Sequence, residues 1–189
     1  MNNSRSLALV SLFAALLAVF GLIPKIDLPL GVPITLQTLG VMLAGCLLGP
    51  KRGLQAMLLF LVAVALGLPL LSGGRGGLGV FMAPSSGYLI GWPFGALVTG
   101  WLMSALPRST PLRAAVSAFA ASSLGGLLVV HACGVVGLVK IANLSWTQAF
   151  LGTLVFVPGD LLKCAVCALV VHTVARGLPD WNFGGRALK

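Results

Sequence analysis

Residues 150–175 read FLGTLVFVPGDLLKCAVCALVVHTVA, an apolar segment that contains one acid and one base. About 20 such residues cross a bilayer as a helix, so the segment is predicted to span a membrane. At a bilayer midplane, Asp160 and Lys163 would each cost roughly 2.5–3.5 kcal/mol. Because positions i and i+3 share a helix face, both side chains can contact one ligand. The pair is therefore predicted to form a polar binding site.

A salt bridge that only neutralises the two charges between helices is the alternative interpretation of this pair. Pro158-Gly159 stands just before it and is expected to loosen or kink the span. If the span is one continuous helix, Asp160 lies roughly 12 residues from its outer end, or about 18 Å at 1.5 Å per residue.

The composition of the whole chain supports a membrane protein. Of its 189 residues, 58% are hydrophobic and 8% are charged, against about 25% charged residues in soluble domains. The net charge of +9 does not indicate nucleic-acid binding, because the basic residues are dispersed and form no aromatic-laced patch. We expect residues 1–189 to form a single transmembrane domain without a separate soluble part.

Six transmembrane helices in one compact all-α bundle are predicted from the apolar runs. The first resembles a signal peptide but lacks a clear cleavage site, so we expect an uncleaved helix. Of the twelve Lys and Arg residues, eight fall on one side, three on the other and Lys163 inside a span, which places both termini in the cytoplasm. The spans are 6–23, 33–49, 53–71, 86–106, 112–139 and 148–175, and the eight residues are Arg5, Lys51, Arg52, Arg108, Arg113, Arg176, Arg186 and Lys189.

The loops that face outward in this topology are residues 25–32, 72–85 and 140–147. The second contains Ser72-Gly-Gly-Arg-Gly-Gly-Leu-Gly79, which is too glycine-rich for a helix. A flexible connector is one interpretation. The other is a loop that covers a ligand, because glycines allow close backbone approach and the guanidinium of Arg75 suits a carboxylate.

Further polar side chains are predicted at the same outer level. Thr35, Gln37 and Thr38 lie near the outer end of the second span, where hydrogen bonding between helices is the alternative role. Tyr88 begins the fourth span and is either an interfacial residue or a pocket wall. His131 and His172 have no acid at helical spacing, so they are expected to be neutral residues of the core.

A stripe of small residues on the first span predicts close helix packing. Ser11, Ala14, Ala15 and Ala18 form two small-xxx-small pairs, which suit packing either within the bundle or against another protein. The sequence contains no Walker A, H-E-x-x-H or G-x-S-x-G motif and no metal-ligand cluster. We therefore expect no catalytic residues, no metal and no cofactor.

Four segments together resemble the BioY family, the biotin-binding S components of energy-coupling factor (ECF) transporters. They are Val32-Pro-Ile-Thr-Leu-Gln-Thr-Leu-Gly40, Gly73-Gly-Arg-Gly-Gly-Leu-Gly-Val-Phe81, Gly87-Tyr-Leu-Ile-Gly91 and Val157-Pro-Gly-Asp-Leu-Leu-Lys163. The resemblance implies a six-helix subunit of the plasma membrane that captures biotin. It also implies a transmembrane coupling protein and cytoplasmic ABC-type ATPases as partners.

The resemblance implies roles for particular residues. Asp160 and Lys163 would contact biotin, with the acid accepting the ureido N–H groups, and the glycine loop would cap the pocket. The remaining pocket residues would be Thr35, Gln37, Arg75, Gly76, Gly87 and Tyr88. The small-residue stripe of the first span would face the coupling subunit.

One segment departs from the family pattern. The family usually has Gly-Pro-Thr-Gly-Gly-Tyr before the fourth span, whereas this chain has Ala83-Pro-Ser-Ser-Gly-Tyr88. The loss of two glycines predicts a stiffer turn. Two other functions remain open: a stand-alone secondary transporter or channel for a small carboxylate, with Asp160 coupling an ion, and a membrane enzyme, for which no nucleophile or metal cluster is found.

Overall fold

The computed structural model describes residues 3–28 and 31–185, and within them the chain is almost entirely helical. Between α5 and α6 a π-helical segment, Ser122–Val129, makes Pro111–Ile141 one continuous rod. Two 3₁₀ turns lie at Leu78–Met82 and Phe183–Gly185. The α-helices are α1 (Asn3–Leu22), α2 (Gln37–Leu48), α3 (Pro50–Ala65), α4 (Ser86–Ala105), α5 (Pro111–Ala121), α6 (Val130–Ile141), α7 (Trp146–Leu154) and α8 (Val157–Gly177).

Within the described residues, three helices are long and apolar enough to cross a membrane. They are Asn3–Leu22, Pro111–Ile141 and Val157–Gly177. Large apolar side chains remain exposed on their outer faces, for example Leu12 on α1 and Leu169 on α8. A soluble protein rarely leaves so many contiguous apolar side chains exposed, so this surface fits a lipid environment.

Helix α2 forms the centre of the bundle. Nearly all of its residues are buried, and it packs against α1, α3, α4 and α8. Helix α4 packs closely against α6, where Gly87 lies so near Gly137 that a Cβ on Gly137 would be 2.6 Å from the Gly87 Cα. Small residues allow this backbone approach, as is usual between membrane helices.

The predicted sixth span is not one helix. Helix α7 starts with a capping box, in which Ser145 and Gln148 each bond the other's backbone N–H, and it ends at Leu154. A turn at residues 155–156 separates it from α8, where Pro158 lies in the first turn. Proline fits there because its missing N–H would have no partner anyway. Pro158-Gly159 therefore starts a helix rather than kinking one, and the expected depth of 12 residues along a continuous helix was wrong.

The break in the chain places Asp160 in the first turn of α8, at the start of its buried stripe. That stripe consists of Asp160, Cys164, Cys167, Val171 and Ala175, all on the face that packs against α5 and α2. The second predicted span is also shorter than expected. Residues 33–36 are not helical, and Ile34 pairs with Ile26 in an antiparallel bridge.

Other predictions lie partly outside the described residues. Arg186 and Lys189, which belong to the charge count, are not among them. In the part that the structure describes, residues 178–185 fold back under the bundle, and the Phe183 side chain is fully buried.

Candidate ligand-binding site

A cavity lies where the glycine-rich loop meets the first turns of α2, α4 and α8. Its free volume is about 50 Å³, which would hold about three to five waters at roughly 10–15 Å³ each. Sites for drug-sized molecules are larger, about 300–1,000 Å³, so a wall has to move to admit one. The polar residues of the lining are Thr35, Gln37, Thr38, Arg75, Ser85, Tyr88, His131, Asp160 and Lys163.

The Asp160 carboxylate is the centre of the polar network. Asp160 is 3% exposed, and its Oδ1 accepts from Lys163 Nζ at 2.7 Å and from Thr38 Oγ1 at 3.1 Å. Lys163 Nζ also donates to Thr38 Oγ1 at 2.8 Å. The acid and the base thus meet across one turn of α8, as their spacing predicted, and Thr38 bridges them from α2.

His131 was expected to be an isolated core residue, and the structure corrects this. Its Nε2 lies 2.8 Å from Asp160 Oδ2, and both groups are buried. The two residues are on α6 and α8, so helical spacing within one span could not detect the contact. His172 is half-buried on α8 and does not line the cavity.

Aromatic side chains form much of the apolar wall. Tyr88, His131 and Phe156 pack together with ring centroids 5.8–6.1 Å apart. The Tyr88 hydroxyl is 2.7 Å from Thr153 Oγ1, which holds the ring in place. Trp92 also lines the cavity and packs against Phe60 at 5.9 Å. Trp92 and Phe156 were not predicted from the sequence, because their apolar surroundings carry no local signal of a site.

Gln37 lines the cavity, but its amide is engaged with the protein itself. Nε2 donates to Leu17 O and to Leu70 O, both at 3.1 Å, and Oε1 accepts from Ser72 N at 3.2 Å. Gln37 is 1% exposed. Its amide therefore joins α1, α2 and the start of the glycine-rich loop, which is the interhelical role left open by the sequence.

Arg75 is attached to the rest of the site by long hydrogen bonds. An antiparallel bridge pairs it with Leu71. Its Nε donates to Ser72 O and its Nη1 to Ser85 Oγ, both at 3.4 Å. A guanidinium has five N–H donors, so most of them are free to bind another group. Arg75 is only half-buried and lies above the cavity in the loop.

The two glycines of the predicted set lie outside the cavity lining. A Cβ on Gly76 would be 2.3 Å from Leu68 O, and one on Gly87 would be 2.4 Å from Cys133 O. Their lack of a side chain serves close backbone packing that shapes the loop and the α4–α6 contact. Thr35, in contrast, does line the cavity.

The charges of the lining favour an anionic group. One carboxylate, Asp160, faces two cations, Arg75 and Lys163. In the described residues no group of three or more His, Cys, Asp or Glu side chains could hold a metal ion. The arrangement suits a compact, largely apolar molecule with N–H donors at one end and a carboxylate at the other.

The small-residue stripe of α1 lies away from this cavity. Ser11 and Ala15 are exposed, and Ala14 and Ala18 are half-buried against the core. The alternative role of the stripe, packing against other helices of this bundle, is therefore not met for Ser11 and Ala15.

The chain is similar in sequence to known transport proteins. The chain is 47% identical over 180 residues to the biotin transporter BioY of Rhizobium etli, covering 94% of this chain and 96% of that protein. It is 46% identical over 185 residues to the biotin transporter BioY of Rhodobacter capsulatus, with coverage of 93% and 96%.

A solved structure has the same fold. It is the crystal structure of the S component for biotin from an ECF-type ABC transporter, with a TM-score of 0.82 and 30% identity. The match covers 93% of this chain and 95% of that one. The BioY family model matches residues 1–180. The chain therefore belongs to the BioY family.

Proposed function

We propose that this chain captures biotin as the membrane-embedded substrate-binding subunit of an ECF-type ABC transporter. The observation that carries the proposal is the buried network of Asp160, Lys163, Thr38 and His131 beneath the Arg75 loop. The names of the relatives supply the ligand, and the network supplies groups that match its polar ends. The chain acts as a binding subunit, not as an enzyme.

Unused hydrogen-bonding capacity in the network defines where biotin would bind. An ionised carboxylate offers about four acceptor sites, and Asp160 uses three of them for Thr38, Lys163 and His131. One remains for a ureido N–H. An ammonium has three donors, of which Lys163 uses two, so one remains for a carbonyl or carboxylate oxygen.

The apolar walls and the loop fit the rest of the molecule. Tyr88, Trp92 and Phe156 provide aromatic faces for the bicyclic ring. Arg75 would bind the valerate carboxylate with the guanidinium donors that its two long bonds leave free. Because the Arg75 side chain is held only by 3.4 Å contacts, its displacement is the movement that would enlarge the 50 Å³ cavity.

The topology of the proposal is six crossings of the plasma membrane with both termini in the cytoplasm. The crossings would be α1, α2, α3, α4, the α5–α6 rod and α8, with α7 packed on α6 at the outer side. Helix α2 has 12 residues, about 18 Å at 1.5 Å per residue, and the non-helical residues 33–36 would complete its span. The eight-to-three distribution of Lys and Arg supports this orientation.

Two kinds of protein partner follow from the proposal. A transmembrane coupling subunit would pack on the α1 face that carries Ser11, Ala14, Ala15 and Ala18, where small residues allow close approach. Cytoplasmic ABC-type ATPases would supply the energy through that subunit, and the sequence contains no Walker A motif of its own. Reorientation of this chain against the coupling subunit would then open the site to the cytoplasm.

Biotin binding to purified Asp160→Asn and Lys163→Ala proteins tests the site. We expect each to bind at least tenfold more weakly, because each removes one charge-assisted contact, worth about 1.5–3 kcal/mol. Lys140→Ala is the matched control, since Lys140 is exposed on α6 and does not line the cavity. Wild-type affinity in both site variants would refute the assignment.

A stand-alone secondary transporter is the second candidate, and the buried His131–Asp160 contact is the observation in its favour. Intramembrane acids paired with histidines occur in proton relays. Reconstitution in liposomes separates the two functions. Biotin uptake driven by a proton gradient, with no partner and no ATP, would support the secondary transporter, whereas uptake that needs both partners and ATP supports the ECF function.

A further inference from the structure

A second hollow, at the opposite end of the bundle from the biotin site, has no role in the function proposed above. Its volume is about 420 Å³, and it lies between α1, the α2–α3 turn and residues 177–182. The lining includes Arg5, Leu9, Leu47, Arg52, Asp180 and Trp181. We call it the Arg5–Arg52 hollow. In the proposed topology it opens at the cytoplasmic surface of the membrane.

The wall made by the C-terminal segment is fixed in place. Trp181 Nε1 donates to Leu47 O at 3.0 Å, and Phe183 is fully buried. Gly184 has a φ of 61°, and a Cβ there would be 2.6 Å from Ser104 N. This left-handed conformation and close contact both require glycine. The hollow is therefore a formed concave surface and not a gap beside a loose tail.

The two arginines of the hollow have no anionic partner in the described part of the chain. Neither Arg5 nor Arg52 forms a salt bridge or a hydrogen bond there through its side chain, and Asp180 forms no salt bridge either. Two cations and one acid leave the lining net positive. Arg52 also lies in the first turn of α3, where the helix dipole disfavours a cation. The positive charge of Arg52 therefore does not stabilise α3.

We propose that the Arg5–Arg52 hollow binds the phosphate headgroup of an anionic phospholipid. Guanidinium groups bind phosphate oxygens in a bidentate manner. Leu9 and Leu47 provide an apolar wall for the glycerol and the first methylenes, and Trp181 has the amphipathic ring typical of the headgroup level. The exposed apolar flank of α1 continues towards the bilayer and suits the acyl chains.

The position on α1 favours a lipid over the coupling subunit as occupant. At about 100° per residue, Arg5 and Leu9 lie roughly 150° around the helix from the centre of the Ser11–Ala18 stripe. A partner packed on that stripe leaves the hollow open to the membrane. An acidic segment of a partner protein is the competing occupant, and the experiment below distinguishes the two.

Native mass spectrometry of the full-length protein tests the proposal, with phosphatidylglycerol and phosphatidylcholine titrated separately. We expect the wild-type protein to retain one phosphatidylglycerol molecule in preference to phosphatidylcholine. The double variant Arg5→Gln/Arg52→Gln should lose this preference at least tenfold. Arg113→Gln/Arg176→Gln is the matched control, because it removes two exposed arginines from the same side and leaves the same six-to-three charge distribution.

Several outcomes would overturn the proposal. One is unchanged phosphatidylglycerol retention in Arg5→Gln/Arg52→Gln, and another is equal loss in both double variants, which would indicate net charge rather than a site. A third is unchanged lipid retention with loss of assembly with the coupling subunit, which would assign the hollow to a protein. Arg5→Lys/Arg52→Lys keeps the charge and should lose part of the preference, because lysine cannot bind phosphate in a bidentate manner.

Biotin binding serves as an independent measurement on the same proteins. None of the substituted arginines lines the biotin cavity, so all variants should bind biotin as the wild type does, which also shows that they fold. If no variant and no wild-type protein binds biotin, the proposed function fails while the lipid result still stands.

Discussion

Substitution of Thr38 by valine tests whether the network, and not only its charges, holds biotin. Valine has nearly the same shape as threonine but no hydroxyl. The change removes the hydrogen bond that Lys163 Nζ donates at 2.8 Å and the one that Asp160 Oδ1 accepts at 3.1 Å. Asp160 and Lys163 still contact each other at 2.7 Å, so the charge of the site is unchanged.

The expected loss can be worked out from these contacts. Without Thr38, Lys163 keeps one of its two anchors, and its remaining donor is no longer directed by the bridge between α2 and α8. If the ligand loses one hydrogen bond to a charged group, worth about 1.5–3 kcal/mol, the affinity for biotin falls roughly ten- to 150-fold, at about 1.4 kcal/mol per factor of ten. Isothermal titration calorimetry with purified protein measures this directly.

A matched control separates the network from a general effect of losing a hydroxyl. Thr173 lies on the exposed side of α8, and its Oγ1 donates to Leu169 O of the same helix. Thr173→Val should bind biotin with wild-type affinity. If Thr38→Val also keeps wild-type affinity while both proteins remain folded, the reasoning is refuted, and Lys163 would be positioned by Asp160 alone.

Two further predictions concern the scaffold and the partner surface. Gln37→Leu should lower both the melting temperature and the biotin affinity, because it leaves Ser72 N and Leu70 O without their side-chain partner, at about 1–3 kcal/mol for each unsatisfied group. Differential scanning fluorimetry checks this against Gln55→Leu, which is exposed on α3, and equal melting temperatures would contradict it. Ala15→Trp should abolish co-purification with the coupling subunit without changing biotin binding, because the large side chain fills the exposed small-residue stripe of α1. Leu169→Trp, on the exposed face of α8, is the control. Intact assembly of the Ala15→Trp protein would place the interface elsewhere.

The parts of the fold predictable from sequence are those that depend on local apolar length and helical spacing. The apolar runs predicted the helical architecture, and the i, i+3 spacing placed Asp160 and Lys163 in contact. The break at residues 155–156 was missed because Pro158 was interpreted as an interruption of a helix. A proline suits the first turn of a helix equally well, and the sequence does not distinguish these two positions within an apolar run.

The contact between His131 and Asp160 could not be predicted for a different reason. The two residues lie on different helices, and their contact depends on how α6 and α8 are placed around α2 and α4. That placement depends on glycine contacts such as Gly87 with Gly137, which set how closely α4 and α6 approach. Packing of this kind is a property of pairs of helices, and residue spacing within one span does not predict it.

The same contact changes how the charged pair should be understood. A lone Asp160–Lys163 salt bridge would satisfy both charges and leave little reason for a ligand to bind. As a purely structural contact it would also be a poor choice, because burying the two charges is costly and apolar residues would pack as well. Thr38 and His131 alter this balance. Together with Lys163 they hold the carboxylate by three contacts, so its orientation is set before a ligand arrives, while one acceptor site and one lysine donor remain unused. A preorganised group with unused capacity binds at a lower entropic cost than a flexible one. The Arg75 side chain, with its long 3.4 Å bonds, is held less firmly than the carboxylate. In the proposed site, a preorganised floor would select the ligand, and displacement of the Arg75 side chain would admit it.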